Sequence, residues 1–183
     1  DDTIPNHSVL SKARARWGVE AFESFFKRIV WQCVEAGLVD GSKLFMDSSL
    51  ITADASNNSV VNSTSLDRYL HSGYQELEKR LEEQSGQRLQ KRGIANKKYI
   101  STTDPEASVV RSGDKSRLRY KVHRAVDEQS EIITAVGVTP GETNEAHCLP
   151  SLVDQHEANT RLEVETVVAD SKYGTVENFL ACH

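Results

Sequence analysis

The sequence predicts an α/β fold, and three observations carry the prediction. Ala21 to Ala36 repeats apolar residues at helical spacing, Lys43 to Ala53 is rich in apolar residues on both parities, and from Leu118 onward strand and helix patterns alternate. With 183 residues, 38% of them hydrophobic, the chain has the size of one main domain with appendages.

The first element is a short helix through Arg16, which Ser8 or Ser11 can cap by accepting from free first-turn N–H groups. The second is the most regular helix. Phe22, Phe25, Phe26, Ile29, Val30, Cys33 and Val34 fall on one stripe, Gly37 stops it, and Asp40-Gly41 turns the chain into the next element. Lys43 to Ala53 then reads as a strand covered on both faces, with Asp47 in its middle. A bare buried carboxylate is too costly to persist, so Asp47 needs hydrogen-bond partners such as Ser48 or Ser49, a metal, or another charge.

Ala53 to Ser65 is polar loop, Leu66 to Lys91 a charged helix with a thin leucine stripe, and Gly93 to Arg117 a long, basic, irregular stretch. Residues 53–116 thus read as one insertion within a main domain (43–183) that follows a helical lead-in (1–42). Leu118–Asp127 and Glu131–Val138 form a hairpin, closed by Thr139-Pro140-Gly141. Thr143 or Asn144 caps the next helix, whose Pro150 must fall in a first turn. Val164–Ala169, with three valines, suits a buried parallel strand, and Thr175 caps a last helix through Phe179 and Leu180.

Charge is uneven. The net charge is −5, yet residues 88–124 hold 11 basic and 3 acidic side chains, while residues 125–183 hold 2 and 11. The basic block includes Lys97, Lys98, Arg111, Lys115, Arg117, Arg119, Lys121 and Arg124, and suits either a phosphate backbone or a solvated surface balanced by acidic neighbours. Cys33, Cys148 and Cys182 form no CxxC pair, and His7, His71, His147, His156 and His183 have no metal-ligand spacing, which argues against disulfides and zinc. No apolar run would span a bilayer and the first residues lack a secretory pattern, so a cytoplasmic chain with no membrane partner is expected.

Two carboxylates stand on core strands: Asp47 within one, and Asp170 at the C-terminal end of another, where open α/β sheets place their sites. If those strands are parallel neighbours the carboxylates converge, and two close anions call for a proton or a divalent cation. Hard oxygen ligands favour Mg²⁺ or Mn²⁺, the ions that cut and join phosphodiesters. On spacing alone, two aspartates in turns or salt bridges remain the competing reading.

Six segments in order change that balance: Pro5-Asn6-His7-Ser8-Val9-Leu10-Ser11, Phe45-Met46-Asp47-Ser48-Ser49-Leu50-Ile51, Ser101-Thr102-Thr103-Asp104-Pro105-Glu106-Ala107, Tyr120-Lys121-Val122-His123-Arg124-Ala125-Val126-Asp127, Thr139-Pro140-Gly141-Glu142-Thr143-Asn144-Glu145, and Val168-Ala169-Asp170-Ser171-Lys172-Tyr173-Gly174. Together they resemble the DDE transposases of bacterial insertion sequences. The resemblance implies an RNase H-like mixed β-sheet flanked by helices, with a helical insertion between the first two core strands. It implies metal-dependent DNA strand cleavage and strand transfer, with Asp47 and Asp170 as the first two catalytic, metal-binding carboxylates and Mg²⁺ (or Mn²⁺) as cofactor. Double-stranded DNA at element ends and target, a homo-oligomer on DNA and a nucleoid-associated location follow from it; a small-molecule substrate does not.

The family's third carboxylate, a Glu on a later helix, has no counterpart among the 13 residues after Asp170, where Glu177 is the sole acid and reads as a first-turn helix charge. The chain is therefore expected to be a fragment. Two alternatives stay open: an inactive fragment that only binds DNA or a partner, and a nuclease of the same fold without strand transfer. Lys121 and His123 share one side of their strand and could face phosphates or the metal; half-exposed strand positions are the plainer reading. Lys172 and Tyr173 could contact phosphate or bases, or simply turn the chain into a helix. Asp104-Pro105 could line the site but reads first as a turn.

Overall fold

Helix α1 spans Ser8–Glu35 in a computed structural model that describes residues 8–62 and 99–182. The two expected helices meet inside it at Gly18, whose φ of 74° and ψ of 177° interrupt the helical backbone. Only glycine takes such a φ without steric cost, which fixes the break there. The helix ends as Gly37 predicts: Gly37 N donates to Val34 O (2.9 Å) and Leu38 N to Cys33 O (2.9 Å), the paired bonds of a Schellman end. Of the expected stripe, Val30 is buried and Phe22, Phe26, Cys33 and Val34 are half-buried, while Phe25 and Ile29 are exposed.

Strand β1 (Lys43–Thr52) follows, then β2 (Val60–Asn62), β3 (Tyr99–Ser101), β4 (Ser108–Ser112), β5 (Lys115–Asp127), β6 (Ile133–Pro140), helix α2 (Leu149–Thr160), β7 (Thr166–Ala169) and helix α3 (Val176–Ala181). The main sheet runs β4-β5-β1-β7, with β6 also on β5; β2 and β3 form a separate antiparallel pair. β1 and β7 are parallel, β4 and β5 antiparallel. This mixed sheet flanked by helices is the expected α/β class and is consistent with an RNase H-like fold.

Contacts divide the chain into two compact units. One holds the residues up to Asp47, Arg124–Val136 and the residues from Ala146; the other holds Ser48–His123 and Gly137–Glu145. In the first, Leu44 and Met46 of β1 bury against Ala125, Ala135, Leu149, Leu152 and Tyr173. Asp127 is fully buried there. Its Oδ2 accepts from Gly41 N (2.7 Å) and its Oδ1 from Gln129 N (3.0 Å), tying the turn before β1 to the end of β5. His156 Nδ1 lies 2.7 Å from Thr134 Oγ1, and Arg161, after α2, sits 4.9 Å from the ring of Trp31 on α1. In the second unit Ala53, Ala107 and Leu118 form a smaller core with Val60, Val109 and Tyr120 beside it.

Several expectations need correction. β1 is not covered on both faces among the described residues: Leu44 and Met46 are buried, but Phe45, Asp47, Leu50 and Ile51 are exposed. The stretch read as irregular, from Gly93 to Arg117, contains β3, β4 and the start of β5. Gly113, with φ 62°, and Asp114 make the two-residue turn between the paired Ser112 and Lys115, a hairpin signal that the flanking charges obscured. Before α2 comes a 3-10 turn, Glu145–Cys148; Cys148, not Thr143 or Asn144, is the N-cap of α2 and makes no side-chain cap hydrogen bond, and Pro150 sits in the first turn as required. Thr175 Oγ1 does cap α3, accepting from Asn178 N at 3.2 Å. The helix expected over 66–91 lies outside the described residues.

Candidate functional site

The parallel register of β1 and β7 places Lys43 opposite Thr166, Leu44 opposite Val167, Phe45 opposite Val168 and Met46 opposite Ala169. Asp47 follows Met46 on β1 and Asp170 follows Ala169, the last residue of β7, so the two leave that last pair at the same level. Adjacent strands lie about 4.8 Å apart, and alternation puts the Asp47 side chain on the face that carries Phe45, the residue paired with Val168. That face is open: Phe45 is 41% and Val168 38% exposed, and both aspartates are exposed. The desolvation cost anticipated for a buried Asp47 therefore does not arise.

Asp170 has a backbone φ of −70° and ψ of 166°, which prolongs the strand, and it caps the following 3-10 turn: its Oδ1 accepts from Lys172 N at 2.7 Å. Lys172 Nζ lies 3.9 Å from Asp170 Oδ2, an exposed pair that costs the carboxylate little of its availability. Two hard carboxylates at one level suit Mg²⁺, which usually takes one or two protein carboxylates, keeps several waters and uses substrate phosphates for the rest. Among the described residues no group of three or more His, Cys, Asp or Glu side chains gathers as a metal cage. Glu177 is exposed in the first turn of α3, the position a helix-terminal charge takes.

The basic residues distribute differently. Lys97 and Lys98 lie outside the described residues. Arg111, Lys115 and Arg117 are exposed on the β4–β5 hairpin, and Arg119 and Lys121 are half-buried further along β5. Lys115, Arg117, Arg119 and Lys121 share one face of β5 by its period of two; Arg111, opposite Ser116, is on the other face. Lys121 Nζ is engaged by Glu145 Oε2 (2.9 Å) and Thr143 O (2.8 Å). His123 is fully buried, with Nε2 2.8 Å from Thr139 Oγ1, and burial, followed by the Lys121 charge, pushes its pKa down. A fully buried imidazole does not reach DNA or a metal at the surface, so His123 drops out of the nucleic-acid set. Arg124 and Lys172 are exposed.

Asp104 takes the turn role. Its Oδ1 accepts from Tyr120 OH at 2.6 Å and its N–H donates to Ser101 Oγ at 3.0 Å; burial, then that hydrogen bond, pushes the Tyr120 pKa up to about 12. Sequence reasoning missed Glu145, which is only 6% exposed and accepts from Ser48 Oγ at 2.8 Å as well as from Lys121. A glutamate in a Thr-Pro-Gly-Glu-Thr-Asn-Glu stretch looks like loop surface, and only its burial and its Lys121 and Ser48 partners show otherwise.

No curated protein and no solved structure matches the chain. A family model described as the transposase DDE domain matches residues 100–183, a stretch that includes Asp170 and Glu145 and leaves Asp47 outside. Residues 100–183 are thus similar to the transposase DDE domain.

Proposed function

We propose that the chain serves DNA transposition, cutting and rejoining DNA strands at the ends of an insertion sequence, with Asp47 and Asp170 as its metal-holding carboxylates. The observation that supports this reading is the β1–β7 register, in which Met46 and Ala169, the residues just before Asp47 and Asp170, are paired, with both aspartates exposed. Mg²⁺ or Mn²⁺ bound there would polarise a phosphodiester and ease deprotonation of an attacking oxygen. The protein's own part is to hold both carboxylates in one orientation, Asp170 through its Lys172 N–H bond, and to present cations to the DNA backbone. Lys115 and Arg117 on the hairpin, with Arg111, Arg119, Arg124 and Lys172, supply those cations, giving affinity that falls with salt and reads little sequence. The reaction class is attack of water on the phosphodiester at an element end, then attack of the freed 3′-hydroxyl on target DNA. A homo-oligomer pairing two element ends belongs to the same proposal.

The test is strand cleavage and strand joining on duplex DNA with Mg²⁺. Cleaved and joined products, both lost in Asp47→Asn and Asp170→Asn, are expected; products that survive both substitutions refute the assignment, and nicks without joining convert it to a nuclease. A second reading, a module that only binds DNA or a partner, draws on one observation: among the described residues no third carboxylate gathers with the two aspartates. DNA binding with no metal-dependent product would select it.

A further inference from the structure

We infer that Glu145 is a positioning residue for the candidate site, holding β1 at the residue that follows Asp47. The inference rests on the reading of Asp47 and Asp170 as metal-holding carboxylates. Glu145 is buried, and a buried carboxylate persists only when it is paired and hydrogen-bonded. Its Oε2 receives two donors from different strands, Ser48 Oγ of β1 at 2.8 Å and Lys121 Nζ of β5 at 2.9 Å. Lys121 Nζ also donates to Thr143 O at 2.8 Å, so the clamp joins β1, β5 and the turn ahead of α2 within the second unit. The ion pair is dry, with side chains 14% and 8% exposed, which makes it stiff and largely insensitive to salt.

Ser48 is joined to Asp47 by a peptide bond and points to the opposite face of β1 by the strand's alternation. Glu145 therefore grips β1 from the side away from the carboxylate. It touches neither metal nor DNA there and acts through the backbone, fixing where the Asp47 side chain leaves the strand. The same contact removes Lys121 from the cations available to phosphate, because its charge is already paired and most of its surface is covered. Groups that orient a metal's ligands change affinity by about 10–100-fold when removed, and a group acting one bond further away should sit near the lower end.

The experiment is Mn²⁺ affinity of the full chain, read by electron paramagnetic resonance of free Mn²⁺ at a temperature where every variant is folded. Ser48→Ala, which changes no charge, should weaken binding about threefold and Glu145→Ala about tenfold; Glu145→Gln, which keeps an acceptor for Ser48, should recover most of the loss. Tyr120→Phe deletes a 2.6 Å hydrogen bond in the same unit and should lower the melting temperature without changing Mn²⁺ affinity, which separates positioning from general loosening. Wild-type affinity in Ser48→Ala and Glu145→Ala, with binding lost in Asp47→Asn, overturns the positioning role and leaves the metal reading standing. Equal weakening in Tyr120→Phe also overturns it. Wild-type affinity in Asp47→Asn overturns both.

Discussion

Replacing Asp127 by alanine removes the acceptor of two backbone N–H groups, and the two losses are unequal. Gly41 N is buried and donates at 2.7 Å; without Asp127 it has no route to water and keeps its full desolvation penalty, about 1–3 kcal/mol. Gln129 N, at 3.0 Å on an exposed turn, can exchange the carboxylate for water, so only the net value of the bond is lost, about 1 kcal/mol. The sum is about 3 kcal/mol, a large part of the 5–15 kcal/mol typical of a domain. With a urea slope of about 2 kcal/mol/M, the unfolding midpoint should fall by about 1.5 M at unchanged slope. Asp127→Asn is expected to fall between, since its amide oxygen can serve one N–H while its NH₂ opposes the other. Urea denaturation followed by far-UV circular dichroism reads both variants. A loss below about 1 kcal/mol in Asp127→Ala would refute the claim that this carboxylate ties the entry of β1 to the end of β5.

Two other predictions follow from the same structure. The double variant Lys115→Ala/Arg117→Ala should reduce the slope of log K against log salt for duplex DNA by about 1.8, since each neutralised phosphate contributes about 0.9; fluorescence anisotropy between about 50 and 200 mM salt would show it, and an unchanged slope would remove the hairpin from the DNA contact. His123 and His156 both have pKa values pushed below their ordinary 6.5, in each case chiefly by burial. The neutral forms are thus favoured in the folded state: their stabilisation is complete above the unfolded value and is lost as pH falls from about 6.5 toward the lower folded values. The melting temperature should drop over that interval, and His156→Asn should flatten the slope; an unaltered slope would contradict it.

The strands that carry the site were readable because their apolar runs are short and bounded by turn residues, and Asp47 and Asp170 stood out as charges on such runs. That their strands are parallel neighbours was not readable. Register is a property of two strands together, and the pairing of Met46 with Ala169 is what brings the next two residues level. The both-parity apolar pattern of β1 suggested cover on both sides, whereas Phe45, Leu50 and Ile51 are exposed among the described residues; pattern reports what a strand can bury, not what lies against it. The β4–β5 hairpin escaped for a different reason. Its Gly113-Asp114 turn is a known hairpin signal, but Arg111, Lys115, Arg117 and Arg119 break the apolar alternation that would have called attention to it. Period two correctly put Lys121 and His123 on one side of β5, yet that side leads into buried polar surroundings, where His123 meets Thr139 and Lys121 meets Glu145. Buried polar pairs of this sort leave no trace in hydropathy.

A shared metal at Asp47 and Asp170 is tested most directly by thermal melting of the chain with and without Mn²⁺, beside Asp47→Asn and Asp170→Asn. Metal at about 100 times its dissociation constant stabilises the folded state by about 2.7 kcal/mol, which for a chain of this size raises the melting temperature by about 5–10 °C. That shift is expected in the wild type and is expected to be lost in each aspartate variant. A wild type that does not shift, or variants that shift as much as the wild type, would contradict a shared metal at Asp47 and Asp170.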